Sequence, residues 1–168
     1  QSTADMQSGQ ITSLEAVMFY LVTYGLSTLG AFAVVSLVRD SAGEQSRISR
    51  WAGLGKHSPV VAGVFALFLL SMAGIPLTSG FTGKWAVFEV ALAAGAWPVV
   101  IVGVLVSAAA AFFYVRVIVV MYFHEPEPDS AYVAHPSILT ASAIGVSAAA
   151  TIALGILPGP VLDLAQSA

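Results

Sequence analysis

The sequence predicts an all-α fold, a polytopic transmembrane helical bundle of about four spans in which one helix is discontinuous. Composition carries the first part of this prediction: of 168 residues, 58% are hydrophobic and 9% are charged, and the mean hydropathy is +0.89. Soluble domains carry roughly 25% charged residues. The composition therefore excludes a water-soluble enzyme and a disordered tail, and the net charge of -3 offers no basic surface for nucleic acid.

The first span is predicted at 14–38, after a polar loop at 1–13. About 25 residues suffice to cross the hydrocarbon core with some tilt. Hydroxyl side chains recur within the span at spacings of three and four, on one helical face. They are Tyr20, Thr23, Tyr24, Ser27 and Thr28. Helix packing through small and polar residues accounts for such a face; the alternative is a hydrated face that conducts protons.

The loop at 39–57 is the basic segment of the chain. It holds four of the six Lys and Arg, namely Arg39, Arg47, Arg50 and Lys56. By the positive-inside rule, this loop faces the cytoplasm. Ile48, Trp51 and Leu54 are spaced at three, which predicts a short amphipathic helix on the membrane surface with Trp51 at the level of the headgroups.

An apolar stretch at 58–96 is too long for one ordinary span, because a continuous helix of that length would measure nearly 60 Å. Residues that break helices cluster near 74–83: Gly74, Pro76, Gly80 and Gly83. Proline removes a main-chain donor, and glycine tolerates unwound dihedral angles. Two arrangements follow from these residues: two short spans joined by a tight turn, or one helix unwound in the middle of the membrane.

The last two spans are predicted at 97–123 and 137–158. Pro98 suits the first turn of the earlier one. Between them, 124–136 is an acidic loop punctuated by proline, and 159–168 is a short tail.

Lys84 is the basic residue that lies deep inside an apolar stretch. An ionisable group at that depth costs about 2.5–3.5 kcal/mol on insertion scales. One interpretation is a lysine in a surface turn that reaches the interface. The other is a proton carrier, because burial disfavours the charged form of a lysine, and unwound backbone at 80–83 would supply carbonyls and room for water.

The other ionisable groups give weaker indications. The chain has no cysteine, and its three histidines are scattered rather than spaced as ligands, so no metal site is predicted. These are His57, His124 and His135. Glu89 lies five residues after Lys84, so it is not an i,i+4 partner, and we expect it near the outer headgroups or paired with another helix. Arg116 is expected to play a structural role near the end of its span.

Four segments carry a resemblance to a known family. They are FYLVTYGLSTLGAFAVVSL at 19–37, WAGL at 51–54, LSMAGIPLTSGFTGKW at 70–85 and FYVRVIVVMY at 113–122. In this order they resemble the C-terminal part of subunit N of the bacterial proton-pumping NADH:quinone oxidoreductase, respiratory complex I. The third segment is the most specific, whereas the Ala- and Val-rich spans alone would prove nothing.

The resemblance implies inverted repeats, each with a broken helix that bears a lysine or glutamate on a central polar axis. Lys84 matches the lysine of the second broken helix, which implies a terminal proton donor and acceptor toward the outer side. Gly74, Pro76, Gly80 and Gly83 would form the break, and Tyr24, Ser27 and Thr28 are candidates for the polar axis. A homologous subunit of a multisubunit sodium/proton antiporter or membrane-bound hydrogenase is the alternative.

The resemblance also implies a setting. We expect a multi-pass chain of the bacterial plasma membrane, in contact with lipid, with neighbouring antiporter-like subunits of complex I and with the N-terminal part of the same subunit. No cofactor is expected in this chain, while the whole complex would carry FMN, iron–sulfur clusters and a quinone substrate. One broken helix would put the loops at 39–57 and 124–136 at the same end of the bundle. Charge counting favours opposite ends, because residues 123–136 contain no Lys or Arg.

Overall fold

A computed structural model describes residues 13–40, 43–44, 47–126 and 131–156. Its helices are α1 (Ser13–Val35), a 3-10 helix (Ile48–Trp51), α2 (Leu54–His57), α3 (Pro59–Ala73), α4 (Ser79–Ala93), α5 (Trp97–Phe123) and α6 (Ile138–Ile156). Within the described residues, α1, α5 and α6 are long and apolar enough to cross a membrane, and α3 is a shorter apolar helix. The loop predicted at 1–13, apart from its last residue, and the tail at 159–168 lie outside the described residues.

Helices α3 and α4 are two halves of one interrupted helix that runs antiparallel to α1. Near the middle of α1, Thr23 contacts α4: a β-carbon on Gly83 would lie 2.7 Å from the Thr23 hydroxyl oxygen. Later in α1, Gly30 packs directly against the ring of Phe68 in α3. Between these two levels, Ser27 lies within hydrogen-bond distance of a serine from each half. A hairpin would have brought α4 back along the part of α1 that α3 covers, so the predicted bundle with one discontinuous helix is confirmed.

Helices α5 and α6 complete the bundle. Pro98 lies in the first turn of α5, where its missing N–H costs nothing. Gly103, near the start of α5, packs beside Phe88, near the end of α4, with 3.0 Å from a ring carbon to a β-carbon placed on the glycine. Helix α6 begins after Ser137, whose hydroxyl accepts the N–H of Thr140 at 3.1 Å and so caps the first turn.

A small three-stranded antiparallel sheet adds to the helical fold. It contains β1 (Val38–Asp40), β2 (Gly43–Glu44) and β3 (Tyr132–Val133) in the order β2-β1-β3. The first span was expected to continue to residue 38, but α1 ends at Val35. The chain leaves the helix there because the Leu37 carbonyl accepts the N–H of Ala134 at 2.8 Å and Val38 pairs with Val133. The sheet was not predicted, since its strands are only two or three residues long.

The loops before α3 and before α6 meet at one end of the bundle. Besides the strand pairing of β1 with β3, the N–H of Ala131 donates to the Arg50 carbonyl at 3.0 Å. Lys56 forms an exposed ion pair with Glu125 at 3.1 Å. This placement agrees with the family geometry and is the opposite of what charge counting favoured. A loop with few basic residues carries little orienting information.

The apolar core lies at this same end, where α1, α3 and α5 meet the 3-10 helix. Phe68 and Met121 are its largest fully buried side chains. Trp51 is only 5% exposed, and its ring centroid lies 4.9 Å from that of Phe65. The prediction that the apolar side of this segment lies on the membrane surface is therefore wrong: that side, including Leu54, packs on the bundle itself. The level of Trp51 relative to the headgroups stays a prediction.

Candidate functional site

Lys84 lies in the second turn of α4, and its side chain crosses the break to the end of α3. The ammonium nitrogen donates to the main-chain oxygen of Met72 at 2.8 Å and to that of Ala73 at 3.3 Å. Lys84 is partly buried. The site is therefore a lysine that bridges the two halves of the interrupted helix.

The end of α3 explains why these two carbonyls are available. Gly74 has a φ of 85°, and its N–H donates to the Ser71 carbonyl at 2.9 Å, while the N–H of Ile75 donates to the Leu70 carbonyl at 3.1 Å. This is a Schellman motif, which satisfies two of the last four carbonyls of a helix. The next two carbonyls, of Met72 and Ala73, have no main-chain donor among the described residues, and Lys84 donates an N–H to each. A positive charge is also favourable at a helix C-terminus.

A β-turn at 75–78 lies between α3 and α4. The N–H of Thr78 donates to the Ile75 carbonyl at 3.3 Å, and its hydroxyl donates to the same oxygen at 2.6 Å. Pro76 occupies the second position of this turn, which its fixed φ suits, and Leu77 follows with a φ of 74°. The Leu77 carbonyl packs against Gly155 of α6 so closely that a β-carbon there would collide with it. Helix α6 therefore covers the turn.

The two glycines of α4 allow close helix contacts rather than an unwound backbone. Gly80 donates its N–H to the Ser71 hydroxyl at 3.1 Å, and a β-carbon on Gly80 would collide with the Ser71 carbonyl. A β-carbon on Gly83 would lie 2.7 Å from the Thr23 hydroxyl and 3.4 Å from a ring carbon of Tyr20. The sequence placed unwound backbone at 80–83; in the structure both glycines are helical, and the break is confined to 74–78.

Four buried hydroxyls meet beside the break. The Ser27 hydroxyl lies 3.0 Å from that of Ser71, 3.5 Å from that of Ser79 and 3.3 Å from that of Thr151. The hydroxyls of Ser71 and Ser79 are 3.4 Å apart. All four side chains are almost completely buried. We call this set the hydroxyl cluster; it joins α1, both halves of the interrupted helix and α6.

Sequence reasoning singled out only Ser27 from this cluster. Ser71 and Ser79 flank the break within the most specific segment of the resemblance, and this position could have indicated that they lie at the site. No sequence pattern indicated that Thr151 belongs to the cluster, because its partner Ser27 is 124 positions away along the chain.

The other two candidates for the polar axis, Tyr24 and Thr28, line a groove and not the cluster. The groove has a volume of about 260 Å³ and lies between α1, α3 and α5. Its lining residues are Tyr24, Thr28, Ala31, Phe32, Val35, Phe65, Leu69, Met72 and Tyr114. The Thr28 hydroxyl points at the Met72 sulfur, 3.9 Å away. Tyr24 stacks on Tyr20 with ring centroids 5.6 Å apart. The predicted hydroxyl face of α1 is thus divided between packing inside the bundle and a partly exposed groove.

The break lies beside the middle of α1. Thr23 contacts Gly83 of α4, and Ser27 belongs to the hydroxyl cluster. Both residues lie at least eight positions from either end of α1, which is Ser13–Val35. At 1.5 Å per residue this is about 12 Å. A turn at the membrane surface would instead lie beside an end of α1.

The described residues around Lys84 provide no fixed counter-charge. In the part of the chain that the structure describes, no carboxylate forms an ion pair with Lys84, and its hydrogen bonds go to the two carbonyls. Glu89 and Arg116 are exposed on α4 and α5, and the three histidines are exposed near the ends of helices. Within the described residues, no group of three or more His, Asp or Glu is placed to hold a metal ion.

Comparison with known proteins agrees with this geometry. Residues 3–110, more than half of the chain, match the family described as NADH:quinone oxidoreductase/Mrp antiporter, TM. The chain belongs to this family. The resemblance to this family that the four sequence segments indicated is confirmed. The chain is a multi-pass membrane protein.

Individual relatives are highly similar. Subunit N of the NADH-quinone oxidoreductase of Nocardioides sp. is 60% identical over 172 residues, which cover 100% of this chain and 32% of that protein. The corresponding subunit of Rhodococcus opacus is 63% identical over 155 residues, covering 92% of this chain and 29% of that protein. The chain thus spans about one third of the length of the curated relatives it matches.

Two solved structures share the fold. A chain of respiratory complex I from Thermus thermophilus with bound aureothin has a TM-score of 0.75 and 31% identity, covering 89% of this chain and 34% of that chain. A chain of the Mrp complex from Dietzia sp. has a TM-score of 0.74 at 23% identity, covering 92% and 36%. At that identity the second likeness concerns the fold alone.

Proposed function

We propose that this chain is part of a proton-translocating membrane subunit of an NADH:quinone oxidoreductase, and that Lys84 carries the proton toward the outer side of the membrane. The observation that supports the proposal best is the position of the Lys84 ammonium. It lies on two helix-end carbonyls, at a break beside the middle of α1, with no carboxylate partner among the described residues.

This position suits a lysine that gains and loses a proton. An ammonium has three N–H donors, and two of them bond the carbonyls of Met72 and Ala73. The third is not engaged by the described residues and is the one available for exchange with water or with an ionisable group elsewhere in the subunit. After release, a neutral amine keeps two N–H groups, so both carbonyls stay bonded in either protonation state.

Lys84 forms no ion pair with the described residues, and this lowers the cost of that exchange. A lysine paired with a buried carboxylate would leave an uncompensated charge behind on losing its proton, which costs several kcal/mol. Helix-end carbonyls carry only partial charge. Lys84 can therefore respond to charges that appear and disappear nearby, which is how quinone reduction elsewhere in the complex would be coupled to proton movement.

The redox groups of such a complex belong to other subunits. Iron–sulfur clusters are held by cysteine thiolates, and this chain has no cysteine. This chain therefore offers no thiolate for an iron–sulfur cluster, and we expect FMN and the quinone to bind elsewhere in such a complex. The partners of this chain would be neighbouring antiporter-like subunits, the remaining part of the same subunit and lipid.

A subunit of an Mrp-type sodium/proton antiporter is the second candidate, because the fold matches that of the Dietzia Mrp chain nearly as well as that of the Thermus complex I chain. The identities of 60% and 63% to subunit N favour complex I. Purification from the source membrane decides between them: co-purifying flavin and iron–sulfur subunits support complex I, and their absence together with sodium-dependent proton transport supports the antiporter.

The role of Lys84 is tested by two substitutions in the assembled complex, with protons moved per electron as the measurement. Lys84→Met removes the titratable group. Lys84→Arg keeps a positive charge and N–H donors but cannot release a proton at accessible pH. We expect both to lower the stoichiometry. Lys56→Met is the matched control, because Lys56 is an exposed loop lysine paired with Glu125, and it should pump normally.

The outcomes separate a proton carrier from a structural charge. If Lys84→Arg pumps like the wild type while Lys84→Met does not, the site needs only a positive charge and the proton-carrier role is refuted. Wild-type stoichiometry in Lys84→Met refutes any role in pumping. Quinone reductase activity and the amount of assembled complex are measured alongside, so that a failure of assembly is recognised.

A further inference from the structure

We propose that Ser71 is the positioning residue of Lys84. Its hydroxyl fixes the first turn of α4 to the last turn of α3 and thereby holds the ammonium on the carbonyls of Met72 and Ala73. The expected effect on pumping rests on the proposed function of Lys84, whereas the expected effect on geometry does not.

The N–H groups at the start of α4 need partners from outside the helix. The first N–H groups of a helix have no partner within the helix, and in an apolar environment each unsatisfied group costs several kcal/mol. Thr78, at the N-cap of α4, makes no side-chain capping bond. The Ser71 hydroxyl accepts the N–H of Gly80 at 3.1 Å instead. A side chain from one half of the interrupted helix thus caps the other half.

Ser71 is itself held firmly. Its side chain is fully buried, and its hydroxyl lies 3.0 Å from that of Ser27 in α1 and 3.4 Å from that of Ser79 in α4. Its carbonyl accepts the N–H of Gly74. Ser71 therefore makes contacts with α1, with both halves of the helix and with the turn between them, and it has little freedom to move.

The link from Ser71 to Lys84 follows from helix geometry. Gly80 and Lys84 are four residues apart, so they lie one above the other on the same face of α4. The carbonyls that Lys84 bonds belong to the two residues that directly follow Ser71. The bond from Gly80 to Ser71 and the bonds from Lys84 to these carbonyls are therefore successive connections between the same two helix ends. The bond from Gly80 is the one that ties the main chain of α4 to Ser71, so we expect its loss to shift the first turn of α4 and with it the Lys84 ammonium.

Ser147 provides a matched control. It is 1% exposed, in α6, and its hydroxyl has no hydrogen-bond partner among the described residues. Ser147→Ala removes a buried hydroxyl of the same size without breaking a bond, whereas Ser71→Ala leaves the N–H of Gly80 without its acceptor. A difference between these two variants isolates the hydrogen bond from the loss of volume.

The first test is a structure of the full complex carrying Ser71→Ala. We expect the Lys84 nitrogen to move from 2.8 Å to more than 3.5 Å from the Met72 oxygen, and we expect no such change in Ser147→Ala. An unchanged Lys84 in the Ser71→Ala complex overturns the proposal, whatever the pumping result.

The second test measures protons per electron in Ser71→Ala, Lys84→Met and the double variant, with quinone reductase rate and its KM as controls. We expect Ser71→Ala to lose part of the stoichiometry that Lys84→Met loses, with KM unchanged, and the double variant to lose no more than Lys84→Met alone. An additional loss in the double variant means that Ser71 acts independently of Lys84 and contradicts the proposal. Normal pumping in Lys84→Met refutes the proposed function instead, and the structural test still decides the role of Ser71.

Discussion

Gly74 has a left-handed backbone conformation and lies beside the Lys84 side chain. Replacing Gly74 with alanine should therefore strain the backbone and displace Lys84. The φ of Gly74 is 85°, a left-handed conformation that costs an L-residue roughly 1–2 kcal/mol. That is a factor of about 5 to 30 in an equilibrium constant. A β-carbon there would also lie 3.2 Å from Cδ and 3.3 Å from Nζ of Lys84, so the lysine must shift by a few tenths of an ångström.

This shift is large enough to matter for the site. The longer of the two bonds from Lys84, to the carbonyl of Ala73, is already 3.3 Å, close to the upper limit for an N–H donor. We therefore expect Gly74→Ala to lower both the thermal stability of the complex and the number of protons moved per electron. The first effect comes from the backbone and the second from the displaced ammonium.

Gly95 separates these two effects. Its φ is 75°, nearly that of Gly74, but a β-carbon there would have nothing within 4 Å. Gly95→Ala should lower the midpoint of thermal inactivation by a similar amount and leave the pumping stoichiometry unchanged. Both variants are measured in the reconstituted complex, by heating and by proton uptake during quinone reduction. Normal pumping by Gly74→Ala, or an equal loss of pumping in Gly95→Ala, would show that a β-carbon at Gly74 does not act through Lys84.

Two further predictions concern packing. Gly80→Ala should prevent stable assembly, because its β-carbon would collide with the Ser71 carbonyl. Gly25→Ala is the control: its β-carbon would have nothing within 4 Å, so this variant should assemble normally on native gels. Equal assembly of the two variants would contradict the close contact of the two helix halves. Trp51→Ala should lose about 3–5 kcal/mol, the usual cost of removing a buried aromatic residue, because Trp51 is 5% exposed. Trp97, 61% exposed, is the control, and similar thermal midpoints for the two variants would show that Trp51 is not a core residue.

Composition and segment length were enough to predict the membrane bundle. The apolar runs located the membrane-spanning segments, and the excessive length of 58–96 required either a break or a turn. The residues alone left that choice open, because glycine and proline interrupt a helix equally well in a tight turn at the surface and in an unwound helix. The two arrangements differ in the order in which the residues of 58–96 contact α1: Gly83 lies beside Thr23, and Phe68 lies beside Gly30. A local sequence pattern does not encode such contacts between distant segments.

The same limit explains the errors at the loop end of the bundle. The spacing of Ile48, Trp51 and Leu54 correctly indicated an apolar side, but the sequence could not tell whether protein or lipid covers it. The structure places Trp51 against Phe65. The short strands were missed because their main-chain pairing depends on the two loops meeting in space, and Val38 and Val133 are far apart in sequence.

An interruption in the middle of a membrane span is possible only if its main-chain groups find partners inside the protein. Here the carbonyls of Leu70 and Ser71 are satisfied by the Schellman motif, that of Ile75 by Thr78, and the N–H of Gly80 by the Ser71 hydroxyl. Of the last four carbonyls of α3, those of Met72 and Ala73 remain, and no apolar side chain could satisfy them. The break itself therefore calls for a donor at this depth. The Lys84 ammonium donates to both carbonyls and has a third N–H. The same side chain thus satisfies the broken helix and is the group that we propose as the proton carrier.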